Sequence, residues 1–94
     1  MKVLFLRSAD RSLVWFNAYY NRVFPEGRAN ARKSMSMMKR TLSAFPLCGR
    51  LDESGEVRIY QISNTPFAAI YRVLDDHVAI LALHDQRSGH FPEL

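Results

Sequence analysis

The sequence predicts an α+β fold in the order β-α-α-β-β-β, a helical hairpin packed on a small antiparallel sheet. Three observations carry that prediction. Ala31, Met35, Met38, Leu42 and Phe45 recur with steps of +4, +3, +4 and +3, the rhythm of one apolar stripe on a helix. The second half of the chain divides into apolar runs of strand length, separated by Asn64-Thr65-Pro66 and Asp75-Asp76. The length of 94 residues, with 48% hydrophobic and 23% charged side chains, belongs to one folding domain spanning residues 1–94 rather than to a disordered chain.

Residues 2–7 (KVLFLR) read as a first strand, stopped by Ser8. Ser8 or Asp10 can cap the helix that follows, by accepting an orphan backbone N–H. In that helix Leu13, Phe16, Tyr20 and Val23 form the stripe, and Trp15 and Tyr19 widen it. Pro25 and Gly27 make "FPEG" a tight connection, which sets the second helix antiparallel to the first. On the second helix Arg28, Arg32 and Lys39 border the apolar stripe, while Lys33 and Arg40 point away from it. Methionines near the stripe fit either a core or an adaptable binding surface. Phe45-Pro46 ends the helix, because a residue before proline resists helical geometry.

"PLCGRLDESGE" reads as a polar loop, and three strands follow it. Residues 57–62 alternate Val57 and Ile59 with Arg58 and Tyr60; residues 67–73 and 77–84 then form a hairpin through Asp75-Asp76. The hairpin is apolar at both phases of its alternation, whereas a sheet with one covered face alternates more cleanly. The helices cover one face. The "FPEL" tail or another chain is expected on part of the other.

Charge is uneven along the chain. The net charge is +4, and residues 22–50 hold seven basic side chains (Arg22, Arg28, Arg32, Lys33, Lys39, Arg40, Arg50) against Glu26 alone. Such a block fits either a solvated helix face or a nucleic-acid or acidic-protein partner. Cys48 is the single cysteine, which excludes an internal disulfide and zinc sites built on cysteine pairs. His77, His84 and His90 lack metal-ligand spacing, and there is no Gly-rich phosphate loop. No metal or other cofactor is expected. Nothing has the length of a signal-peptide core or a membrane span, so a cytoplasmic protein without membrane contact is expected.

The last strand ends in His84, Asp85, Gln86 and Arg87. His84 lies in phase with Val78, Ile80 and Ala82, as an edge histidine would, and Arg87 can pair with Asp85 or with the chain terminus.

With the elements in this order, the sequence resembles the RelE/ParE superfamily of toxins, closer to its ParE-like branch. The resemblance rests on "YYNRVFPEGRANA", "FPLCGRLDESGEVRIYQI" and above all "TPFAAIYRVLDDHVAILALHDQR", and covers nearly the whole chain. It implies the toxin of a type II toxin–antitoxin pair, neutralised by a cognate antitoxin that lays a helix into an apolar groove or adds a strand. Antitoxin-contacting residues would be Tyr60, Arg72, Phe16, Tyr20 and Met35. Operator DNA would be reached only through the antitoxin.

The superfamily implies two chemistries. ParE-like members poison DNA gyrase, and RelE-like members cut messenger RNA on the ribosome. Metal-free RNA cleavage needs proton transfer at the 2′-hydroxyl and the leaving oxygen, with cations on the phosphate. Arg58, His84, Arg87 and Arg50 are the candidates for those roles here. RelE-type nucleases carry an arginine a few residues before the tyrosine of the "Y-x-V" segment; Ala68 stands there in this chain, and no tyrosine follows Arg87. The expectation is therefore a ParE-like toxin acting on gyrase, against which stand an endoribonuclease and a degenerate member that only binds its antitoxin.

Overall fold

In the computed structural model, residues 1–88 are described. Strands β1 (Lys2–Phe5), β2 (Arg50–Leu51), β3 (Arg58–Gln61), β4 (Phe67–Val73) and β5 (His77–Asp85) form one sheet in the order β1-β5-β4-β3-β2. Helices α1 (Asp10–Ala18) and α2 (Arg28–Ala44) supply the second layer. The expected α+β class holds. The sheet is antiparallel from β2 to β5 but mixed overall, since β1 pairs parallel to β5 with Val3 opposite Val78. Parallel neighbours need a long crossover, and everything between β1 and β5 provides it.

The polar loop hides β2. Asp52 N–H donates to Val57 O at 3.0 Å, and Gly55 turns the chain at a φ of +75° that favours glycine. Arg50 and Leu51 are thereby brought opposite Ile59 and Arg58. A two-residue strand set among charges leaves no periodicity to read.

The helix stripes meet the sheet largely as expected. Phe16, Tyr20, Ala31, Met38 and Leu42 pack on Phe67, Ala69, Tyr71, Val78, Ile80 and Leu83. Phe16 sits 4.9 Å edge-on from Phe67 and 5.1 Å from Tyr20, separations at which aromatic pairs attract beyond their area burial. Two stripe members depart. After Ala18 the first helix widens into a π-helical turn (Tyr19–Val23), which leaves Val23 exposed. Phe45 follows the end of α2 with φ −133° and ψ 71°, and its ring stands in solvent rather than in the core.

Neither Ser8 nor Asp10 caps a helix. Both the serine at 8 and Ser12 are instead spent on an irregularity in β5. Ile70 faces Ala82 but Tyr71 faces Ile80, so Leu81 is an extra residue, a β-bulge. Ser8 Oγ donates to Leu81 O at 2.8 Å, and Leu83 N–H donates to Ser12 Oγ at 2.9 Å. Backbone groups that the ladder gives up at the bulge are satisfied from α1's end of the chain.

The second sheet face carries a small apolar cluster. Val57, Ile70 and Ala82 form a small cluster of their own, with Ile59 and Leu81 packed against it, and Ala68 is fully buried. Part of this face is where the "FPEL" tail or another chain was expected. The "FPEL" tail (91–94) and His90 lie outside the described residues. Among those described, no helix is long and apolar enough to cross a membrane.

Candidate functional site

The four side chains that could serve RNA cleavage do not converge. Directly paired residues share a sheet face. Arg58 opposes Tyr71, which opposes Ile80, placing Arg58 on the helix side. His84 opposes Ala68, which opposes Gln61, on the far side with Ile70 and Ala82. Arg50 opposes Ile59 on that far side too, but three strands away, roughly 14 Å at ordinary strand spacing. The bulge overturns the phase read for His84: Val78 and Ile80 face the helices, while Ala82 and His84 do not.

Arg58 and Arg87 are each held by neighbours. The Arg58 guanidinium donates to two backbone carbonyls, Leu47 O at 3.1 Å and Gly49 O at 2.8 Å. Tyr71, its cross-strand neighbour, completes a clamp on the same loop. Its hydroxyl donates to Pro46 O at 2.7 Å and accepts the Gly49 N–H at 2.9 Å. Burial pushes the Tyr71 phenol up, which keeps that donor protonated. Gly49 is required by the clamp: a Cβ there would lie 2.6 Å from the Tyr71 hydroxyl and 2.9 Å from Ile59 O.

Arg87 makes a bidentate pair with Asp85 at 2.9 and 3.0 Å and stacks 4.3 Å over the Tyr19 ring. Asp85 also accepts the Trp15 indole N–H at 3.0 Å. The Arg87 guanidinium, with help from Trp15, holds the Asp85 carboxyl well below the usual carboxylate range. Asp85 is one of the two partners considered for Arg87; the other, the chain terminus, lies outside the described residues. The cluster staples the end of β5 to α1.

A surface groove lies between the helices. A groove of about 380 Å³ has Phe5, Leu13, Phe16 and Met35 as its apolar lining and Asn17, Ser36, Arg32 and Lys39 as polar members. A narrower cleft of about 80 Å³, lined by Tyr20, Asn21, Arg28 and Ala31 among others, adjoins it through Phe16, Asn17 and Arg32. Lys39 Nζ lies 5.6 Å from the Phe5 ring centre, and Arg28 Nη1 donates to Asn21 Oδ1 at 3.3 Å. The cations that border the stripe in the sequence therefore border this groove.

Phe16 and Tyr20, two of the residues expected to contact an antitoxin, are only 6% and 4% exposed; Phe16 lines the groove and the adjoining cleft, and Tyr20 lines the cleft. Met35 is partly buried in the groove wall. Tyr60 lies elsewhere, packed against the core from β3, and exposed Arg72 is 3.8 Å from Glu56. Among the described residues the ion pairs are Arg72–Glu56, His77–Asp76 and Arg87–Asp85; none involves a cation of α2. No three metal-ligating side chains stand together among them either.

No family model matches this sequence, and no curated protein matches it. Among solved structures, a chain of the chromosomal ParDE TA system from P. aeruginosa shares its fold. The TM-score is 0.71 at 24% identity, over 90% of this chain and 95% of that one. The likeness is one of fold, and it spans nearly the whole of both chains.

Proposed function

We propose that this chain is the toxin of a type II toxin–antitoxin pair, of ParE type, which halts growth by binding DNA gyrase. The single observation that supports this most is the fold shared with the ParDE system over nearly the full length of both chains. The groove between α1 and α2 supports the antitoxin half of the reading. Its lining is apolar at Phe5, Leu13 and Met35 and cationic at Arg32 and Lys39, which suits an amphipathic helix with acidic flanks. Met35 is the antitoxin-contact candidate that such a helix would touch directly.

Binding, rather than RNA cleavage, is favoured by the separation of the candidate groups. Arg58 and His84 occupy opposite faces, and Arg58 and Arg87 already hold a loop and a carboxylate. A general acid and base must both reach one phosphodiester.

Inducible expression tests the proposal. Growth should stop on induction and resume when the antitoxin encoded beside the chain is co-expressed. Purified protein should inhibit gyrase supercoiling while transcripts in the arrested cells stay intact. Codon-phased cleavage of messages with supercoiling unaffected would instead establish the ribonuclease.

A further inference from the structure

An open pocket of about 580 Å³ lies where the start of β1 meets the last turns of α2. Lys39 and Arg40 line it from the helix and Lys2 from the strand, and no carboxylate does. None of these three cations takes part in an ion pair among the described residues. Residues 1–9 and 28–51 contain no acidic side chain. Asp75 and Asp76 adjoin the His77 that opposes Lys2, but neither lines the pocket, and Asp76 is paired with His77 Nδ1 at 2.7 Å.

The pocket is shaped before anything enters it. The Met1 nitrogen donates to Ser43 O at 3.1 Å and Ser43 Oγ donates to Met1 O at 2.5 Å, a clasp between the start of the strand and the end of the helix. β1 is an edge strand. Backbone groups alternate in direction along a strand, and the Leu6 N–H donates inward to Ile80 O, so the Val3 N–H points out at the edge. Val3 lines the pocket too. Lysine, arginine and an outward backbone N–H are the donors that hold phosphate oxygens.

Positive charge continues beyond the pocket. Arg32 with Lys39, and Lys33 with Arg40, are i, i+7 pairs on adjacent rows of α2, and all four are exposed. Seven residues of helix rise about 10 Å. A single free phosphate would need the pocket alone, whereas a row of cations leading out of it suits a chain of phosphates. A peptide is held mainly by apolar anchors, as the groove offers at Phe5, Leu13 and Met35. Here the lining side chains are three cations, Ser43 and the small Val3 and Ala44, with Met1 the one large apolar member.

We infer that Lys2, Lys39 and Arg40 form a phosphate site for a nucleic-acid backbone, bound without regard to base sequence and continued along α2 by Arg32 and Lys33. The chain makes this contact itself rather than only through an antitoxin, and the inference goes beyond the toxin reading.

The test titrates the purified chain into a short labelled DNA duplex and follows anisotropy at several salt concentrations. Lys2 and Arg40 do not line the groove, so they are the residues to change. Lys2→Gln with Arg40→Gln should lower affinity about tenfold and flatten the slope of log K against log salt by about 1.8. Arg11→Gln with Arg22→Gln removes the same charge from exposed positions outside the pocket and should cost less than about threefold. All four side chains are exposed, so urea midpoints should match the wild type. Equal losses in the two variants would overturn the inference, since net charge alone would then explain binding. So would inorganic triphosphate that displaces the duplex at equal phosphate concentration, the mark of a small-anion site, or polyglutamate that binds as tightly as the duplex, the mark of an acidic-peptide site. Absence of binding at low salt would refute it outright. None of these outcomes bears on growth arrest or gyrase inhibition, so the toxin reading stands or falls separately.

Discussion

Replacing Tyr71 with phenylalanine isolates the loop clamp. The ring is fully buried and stays so in the variant, so packing is nearly conserved and only the hydroxyl is lost. That hydroxyl serves two partners, Pro46 O and the Gly49 N–H. An unsatisfied buried group costs about 1–3 kcal/mol. Gly49 is buried, so its N–H should bear most of that cost, whereas Pro46 is partly open and its carbonyl can recruit water. The net destabilisation should be about 2 kcal/mol, against a total of roughly 5–14 kcal/mol for a chain of this length. The melting temperature should fall by roughly 8–16 °C. Urea unfolding should show a lower midpoint at unchanged slope, and the Gly49 amide should exchange faster with deuterium than its neighbours in β3. A loss below about 0.5 kcal/mol, with Gly49 exchange unaltered, would refute the clamp.

Other substitutions probe separate parts of the molecule. Gly49→Ala should destabilise by at least as much as the Tyr71 variant, read in the same urea experiment, because its Cβ meets both the Tyr71 hydroxyl and the Ile59 backbone oxygen. Asp85, held ionised by Arg87 and Trp15, contributes stability that is full above the ordinary carboxylate range near pH 4 and is lost as pH falls towards its depressed folded value. Wild type should therefore lose stability on acidification below about pH 4 more steeply than Asp85→Asn, and thermal melts across that range would show it. Arg32→Glu with Lys39→Glu should weaken antitoxin binding about tenfold or more and flatten its dependence on salt, measured by titration calorimetry at two ionic strengths. Met38→Ala, at a fully buried position, should cost about 2–5 kcal/mol by leaving a cavity under α2.

Much of the architecture follows from short-range pattern. The stripe through Ala31, Met38 and Leu42 is core in the structure, and β4 spans the residues that Asn64-Thr65-Pro66 and Asp75-Asp76 delimit. The groove cations Arg28, Arg32 and Lys39 were likewise legible, because their positions on a helical wheel depend only on spacing. Phe45 shows where that reasoning stops. It continues the stripe in sequence, yet Pro46 turns the backbone out of the helix and carries the ring to the surface. Tyr71 read as one more apolar strand residue, with nothing to announce that its hydroxyl would hold a loop more than twenty residues away.

By itself, then, the sequence determined the helices, the order of every strand but β2 and the cationic character of α2, since helix and strand periods are set by covalent geometry and local sterics. Tertiary structure decided the rest: the parallel pairing of β1 with β5, the face that His84 occupies, and the partners of Arg58. One extra residue at Leu81 reverses the phase of everything after it. That residue is accommodated by Ser8 and Ser12, some seventy positions earlier, and such a contact exists only once the chain has closed on itself.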